Sequence, residues 1–138
     1  MSVNAQNYEV NKLKYDYRMY VPEFGDPYNP TIAGVCSFLL PGFGQVISGE
    51  IGRGLSFFVG YVSSAIVSGI GDLMRDAGLD AENESITSIG NGIILVGVAG
   101  ALGVAIASTV DAVKVAKVNN LYFRDYIKSR TLHLEFAP

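Results

Sequence analysis

The residues equipped for chemistry stand at the edges of long uncharged stretches. Glu50 and Arg53 lie three apart, and Asp111, Lys114 and Lys117 follow at helical spacing where the longest uncharged run ends. Residues three or four apart share a helix face, so local ion pairs account for both groups. An ionisable group inside an apolar helix is otherwise a proton or ion site, and Asp111 is placed for that role, although it also reaches water or Lys114. The lone His133 has no acidic or cysteine neighbour and builds no metal or catalytic constellation. Cys36, the single cysteine, excludes an internal disulfide and fits the role of a small hydrophobe in apolar surroundings. Gly49-Glu50-Ile51-Gly52-Arg53-Gly54 lacks the strand, lysine and hydroxyl of a phosphate loop, and no nucleophile sits beside a base. The expectation is a non-enzymatic protein with no catalytic residue, no metal and no cofactor.

The rest of the composition says what must position these residues. The chain has 138 residues, 49% of them hydrophobic, and its mean hydropathy is +0.30, high for a soluble protein of ordinary charge content. Its net charge of −3 and scattered basic residues exclude the electrostatic footprint of a nucleic-acid binder. Residues 1–30 carry Lys12, Lys14 and Arg18 without an apolar core, so they are no cleavable secretory signal, and they read as an aromatic cytoplasmic arm. Pro22, Gly25-Asp26-Pro27 and Asn29-Pro30 punctuate its end.

Residues 31–117 form the predicted membrane domain. Ser85 to Val110 is the best spanning stretch, its apolar part from Ile89 exceeding the roughly 20 residues a bilayer requires. Gly54 to Gly71 rises about 27 Å as a helix, just under a hydrocarbon core of about 30 Å. Pro41-Gly42-Phe43-Gly44 breaks the remaining stretch, leaving Thr31 to Leu40 as a helix about half a bilayer deep, re-entrant or interfacial. The predicted fold is therefore an all-α membrane protein: a re-entrant or interfacial Pro/Gly-broken segment 31–49, a helix 51–71, an external loop 72–88 and a helix 89–113. In the loop, Asp72 to Ala77 with Gly78 reads as one capped helical turn, and Asn83 or Ser85 as the next cap. Only Arg75 among ten lysines and arginines lies in that loop, which places it outside and both termini in the cytoplasm.

Small residues recur every fourth position: Gly52, Ser56, Gly60, Ser64 and Ser68 along one stretch, Ala99, Gly103, Ala107 and then Asp111 along the other. Such faces let helices approach closely in lipid, so the two stripes are expected to meet within the hairpin, with Gly60 against Gly103; the alternatives are an oligomer interface or a narrow polar path. Residues 118–138 are the cytoplasmic C-terminal segment. Asn119-Asn120 weakens its helix, its aromatic and basic mix suits an inner-leaflet interface or a docking helix, and Thr131 to Phe136 alternates like a short strand.

Leu40-Pro41-Gly42-Phe43-Gly44-Gln45, then Gly49, Gly52-Arg53-Gly54, an apolar helix, and a closing helix ending in Asp111-Ala112 with Lys114 and Lys117 resemble the two-transmembrane-domain family, above all its small bacterial members. The resemblance covers about Thr31 to Lys117. It implies two spanning helices after a short apolar segment in a bacterial inner membrane, with Pro41, Gly42, Gly44 and Gln45 as the motif and Asp111 as the acidic residue closing the second span. Val46-Ile47 stands where the family often has an aromatic pair, and the loop between the spans is longer. The family has no single assigned activity.

Three roles fit this pattern. One is an accessory or structural subunit contacting membrane lipids and other membrane subunits, or itself as a homo-oligomer. Another is a self-assembling pore or transporter element with a polar path through Ser56, Ser64, Ser68 and Asp111. The third is a membrane tether whose aromatic arm recruits a soluble protein.

Overall fold

The computed structural model describes residues 8–136, so the first seven residues of the arm and the last two of the C-terminal segment lie outside the described residues. The described chain is all-helical: α1 (Tyr8–Lys14), a single 3-10 turn (Tyr17–Met19), α2 (Pro30–Leu39), α3 (Phe43–Ile47), α4 (Ile51–Asp80) and α5 (Glu84–Phe136), with no strand among the described residues. Thr131 to Phe136, whose alternation suggested a strand, is the last turn and a half of α5. Six residues of alternation are too few to outweigh a helix already running beneath them.

Two helices, α4 and α5, are long and apolar enough to cross a membrane. They have 30 and 53 residues, about 45 and 80 Å at the α-helical rise. Their connection is far shorter than the predicted 72–88 loop. α4 continues to Asp80 because Arg75 pairs with Asp72 and Asp76 along it, and a turn at residues 81–83 suffices to reverse the chain. Asn83 caps α5, accepting the Ile86 amide at 3.2 Å. Gly78 ends no helix; it is buried because a Cβ there would strike Thr87 of α5.

The two helices meet along a seam that the four-residue stripes do not describe. Along α4 the seam runs through Gly54, Phe57, Tyr61, Ser64, Ser68, Gly71, Arg75 and Gly78, each buried or half-buried and spaced by alternating steps of three and four, and α5 answers with Thr87, Gly90, Ile94, Gly97, Ala101, Val104 and Ser108. Gly71 lies against the backbone of Gly90 and Ile94, Gly90 against Arg75, and Gly97 against Ser68. This seven-residue repeat averages 3.5 residues per turn and stays in one seam. A stripe spaced by four drifts about 40° around an α-helix at each step. Gly52 and Ser56 accordingly lie on the exposed side while Gly60, Ser64 and Ser68 approach α5; on α5, Ala99, Gly103 and Ala107 all face outward. The expected meeting of Gly60 with Gly103 does not occur: Gly103 has no neighbour within 4 Å of a Cβ position, and Gly60 adjoins Val104 instead.

α2 begins with Pro30 in its first turn, where proline loses no hydrogen bond, and Asn29 Oδ1 accepts the amides of Thr31 and Ile32 at 3.0 and 3.1 Å. It stops because Pro41 biases Leu40 to extended backbone, φ −138°. The chain then turns back through α3. Tyr28 bonds Asn120 of α5, Gly42 bonds Ser108, and Ser48 bonds Asn119, so the α2–α3 segment dips along about 18 Å of α5 and returns to the same end.

A Cβ built at Gly100 lies 3.5 Å from Ser64 Cβ, a separation typical of disulfides at about 3.5–4.5 Å. Ser64→Cys with Gly100→Cys, in a Cys36→Ser background, is expected to oxidise to an intrachain disulfide. The Gly60→Cys/Gly103→Cys pair is expected to stay reduced within the chain, as read by mobility on non-reducing gels.

Candidate functional site

The break after Leu40 creates the site. Gly42 takes φ +96°, a left-handed conformation that strains other residues, and its position has no room for a side chain because a Cβ would strike the Gly54 backbone. The contact is reciprocal, since a Cβ on Gly54 would strike the Gly42 carbonyl. Gly44 is hemmed in by Ala33, Ser37 and Ala112. The three glycines let α3 and the start of α4 lie backbone to backbone against each other and against α2 and α5.

Amides released by the break are satisfied by side chains. Ser108 Oγ accepts the Gly42 N–H at 2.8 Å, and Ser37 Oγ accepts the Gly44 N–H at 2.9 Å. Ser37 then donates to Gln45 Oε1 at 2.7 Å, while Gln45 Nε2 donates to the Ser108 carbonyl at 2.9 Å and to Asp111 Oδ2 at 3.0 Å. Ser37, Gln45 and Ser108 are all fully buried. α2 and α3 are thereby both tied to one turn of α5.

Asp111 extends the network outward. Arg53 grips it with two bonds, Nε to Oδ2 at 2.7 Å and Nη2 to Oδ1 at 2.5 Å, the fork geometry that makes arginine–carboxylate pairs strong. The Arg53 guanidinium also bonds Glu9 and lies 4.8 Å from the centre of the Tyr8 ring, which docks α1 over the pair. Glu50 completes this corner: its Oε1 accepts the Tyr8 amide at 2.6 Å, and burial pushes its carboxyl above the ordinary range against the opposing pull of that amide. Lys114 lies over the Tyr17 ring at 5.0 Å.

A second clamp holds residues 20–28 to the far part of α5. Arg124 pairs with Asp26 through Nε and Nη2 at 2.9 and 2.8 Å, and also binds the Val21 carbonyl. Tyr20 donates to Asp26 at 2.6 Å. Asn120 exchanges two bonds with the Tyr28 backbone, at 3.0 and 2.7 Å. Asn119 and Asn120, expected to weaken the helix, sit within it fully buried because their amides bridge to Ser48 and Tyr28.

The structure thus brings together Pro41, Gly42, Gly44, Gln45 and Asp111, with Ser37, Ser108, Arg53 and Glu9 added. It leaves Ser56 and Ser64 outside this network; their hydroxyls bond the carbonyls of Gly52 and Gly60 in their own helix. No group of three or more metal-ligating side chains occurs among the described residues. Sequence reasoning passed over Ser37, Ser108, Asn119, Asn120 and the Asp26–Arg124 pair. The asparagines carried a usable signal, since two adjacent poor helix formers inside a long helix imply partners for their amides. Compared with protein-family models, curated proteins and solved structures, the chain matches none.

Gln45→Leu is expected to destabilise the fold by about 1–3 kcal/mol, because it removes the acceptor of the buried Ser37 and Ser108 hydroxyls and one donor to the Asp111 carboxylate. Asp111→Ala is expected to cost about 2 kcal/mol, and Asp111→Ala/Arg53→Met less than the sum of its two single changes, since both single changes break the same ion pair. Thermal unfolding in detergent, followed by circular dichroism, reads both.

Arg124 holds the Asp26 carboxyl down to about 2, against an ordinary 3.8. A depressed carboxyl stabilises the folded state above its unfolded value. Arm docking should therefore be constant above about pH 4 and weaken as pH falls towards 2. Hydrogen exchange of residues 20–28 checks this, and Asp26→Asn should remove the pH dependence in that window.

Proposed function

We propose that this chain is a non-enzymatic integral membrane protein, an accessory or structural subunit that packs against a larger membrane complex or further copies of itself. The observation that carries the reading is the distribution of apolar surface. Only 11% and 17% of the most apolar stretches of α4 and α5 are buried. Phe38, Leu55, Ile66, Leu95, Leu102 and Ile106 all point outward, Leu95 being 70% exposed. A water-soluble chain would bury these side chains, whereas in lipid they are the solvent-facing surface.

In this reading α4 and α5 are the two spans and α2–α3 a re-entrant segment in the cytoplasmic leaflet of a bacterial inner membrane. Nine of the ten basic residues, all but Arg75, lie at the end that carries α1, α2 and the two clamps, which favours placing that end and both termini in the cytoplasm. The likeness of the Pro41-Gly42-Phe43-Gly44-Gln45 block to the two-transmembrane-domain family supports the same topology. Asp111 has its charge matched by Arg53 inside the fold, which favours a scaffolding role for it over a conducting one.

Alkaline carbonate is expected to leave the protein in the membrane pellet, and Glu82→Cys to react with an impermeant maleimide from outside intact cells while Ser129→Cys reacts only after permeabilisation. Gentle detergent purification is expected to yield an assembly larger than one chain. A chain that is soluble and monodisperse without detergent overturns the reading.

A further inference from the structure

At the clamped end lies a cavity of about 520 Å³ between α5, the start of α2 and the segment 20–29. Its wall includes Lys117, half-buried and without an ion pair among the described residues, and the exposed Thr31. Its neighbours at this end are engaged: Lys12 and Arg53 bond Glu9, Arg124 bonds Asp26 and Glu23, and Lys114 covers the Tyr17 ring. Lys117 is thus an uncommitted cation in a concave site. Asp26 and Glu23 line the same cavity. They differ in availability. Asp26 is taken up by Arg124, Tyr20 and the Glu23 amide, whereas the Glu23 side chain is 63% exposed and lies 3.2 Å from Arg124 through one oxygen, Oε1. The cavity is thus lined by both a cation and an accessible carboxylate.

The surroundings identify what reaches it. Immediately along α2 from Thr31, the side chains of Ile32, Val35 and Leu39 are 54%, 55% and 76% exposed, an apolar row that begins beside the cavity and follows one face of the helix away from it. A ligand with a zwitterionic head and apolar tails matches both parts. We propose that this cavity binds the phosphoethanolamine headgroup of a phospholipid, the phosphate directed to Lys117 and the Thr31 hydroxyl, the ammonium to Glu23, and the acyl chains along Ile32, Val35 and Leu39. A charge-assisted bond on each end of the headgroup selects it twice, once for phosphate and once for amine. The assignment rests on the membrane reading above.

Native mass spectrometry of the detergent-purified full chain, given equal amounts of phosphatidylethanolamine, phosphatidylglycerol and phosphatidylcholine, tests it. Phosphatidylethanolamine is expected to be retained at one per chain, at least fivefold over either competitor. Lys117→Gln should lower retention of every phospholipid at least fivefold. Glu23→Gln should abolish the preference for the amine headgroup while keeping binding, a loss of selectivity without loss of affinity that a purely structural effect would not produce. Lys128→Gln, outside the cavity, should leave retention unchanged. Soluble glycerophosphoethanolamine at millimolar concentration distinguishes the sources: competition by it alone assigns the headgroup as the ligand and removes the acyl track from the proposal. Equal retention by wild type and Lys117→Gln, in a protein that still pellets with membranes, overturns the site while leaving the membrane reading standing; a chain that needs no detergent removes both.

Discussion

A helix broken inside a packed fold must find new partners for the buried amides it frees. That requirement, met at Gly42 and Gly44 by the hydroxyls of Ser108 and Ser37, governs the whole of this structure's clamped end. Both hydroxyls converge on Gln45, so a single side chain joins α2 and α3 to α5. The donors must come close to their acceptors, which is why the turn has no side chain at Gly42 and why Gly54 of α4 can lie directly against it. Arg53 is then carried to within reach of Asp111, one turn beyond Ser108 on the same face of α5. The glycines, the glutamine and the ion pair are consequences of one break in one helix.

The same logic explains why α5 runs on for 53 residues. Its first part packs against α4 through backbone contact, but from Ala112 onward its neighbours are α2, α3 and the arm. Tyr8 with Val115 and Val118 forms a small apolar cluster there, and the polar bonds of Asn119, Asn120 and Arg124 do the remaining fastening. Fastened by a few side chains at one end, the arm should open at a lower free energy than the α4–α5 seam, which follows most of α4. The second clamp closes across about a hundred residues of sequence, so the arm can settle only after α5 is in place.

Helix content and the break at Pro41 were legible because proline and glycine act locally, through backbone geometry each residue imposes on its neighbour. The small-residue faces were half legible. Gly60, Ser64 and Ser68 do approach α5, yet Ala99, Gly103 and Ala107 face outward, because a period of four was read where a pair of supercoiled helices repeats every seven. Gly71, Gly78, Gly90 and Gly97 carried that repeat openly in their spacing. Asp111 was found by its position at the end of an apolar run, but its partner was assigned locally to Lys114, whereas the closer fork comes from Arg53, 58 residues away in sequence. Nothing in local spacing reports a partner at that distance. The alternation at Thr131 to Phe136 and the charges of residues 72–80 misled for the opposite reason: both are surface patterns, and a helix already nucleated accommodates either.

The interior of this protein is small and polar while its exterior is large and apolar. Ala33, Ala112 and Ala116 pack at one junction, Ser37, Gln45 and Ser108 bond at the next, and glycines line the seam, whereas Phe38, Phe58, Ile66, Leu95 and Leu102 are exposed. Hydrophobic burial supplies only part of what holds such helices together, since most of the large apolar side chains are left out. What remains is close backbone packing and hydrogen bonding, and these are the forces that associate helices when the surrounding medium is itself apolar. They also act at short range and with fixed geometry, so the seam tolerates glycine where a soluble hairpin would demand leucine. A substitution that enlarges the seam, such as Gly97→Leu, would add apolar surface and still push α4 and α5 apart, because a Cβ at this position already meets the Ser68 backbone.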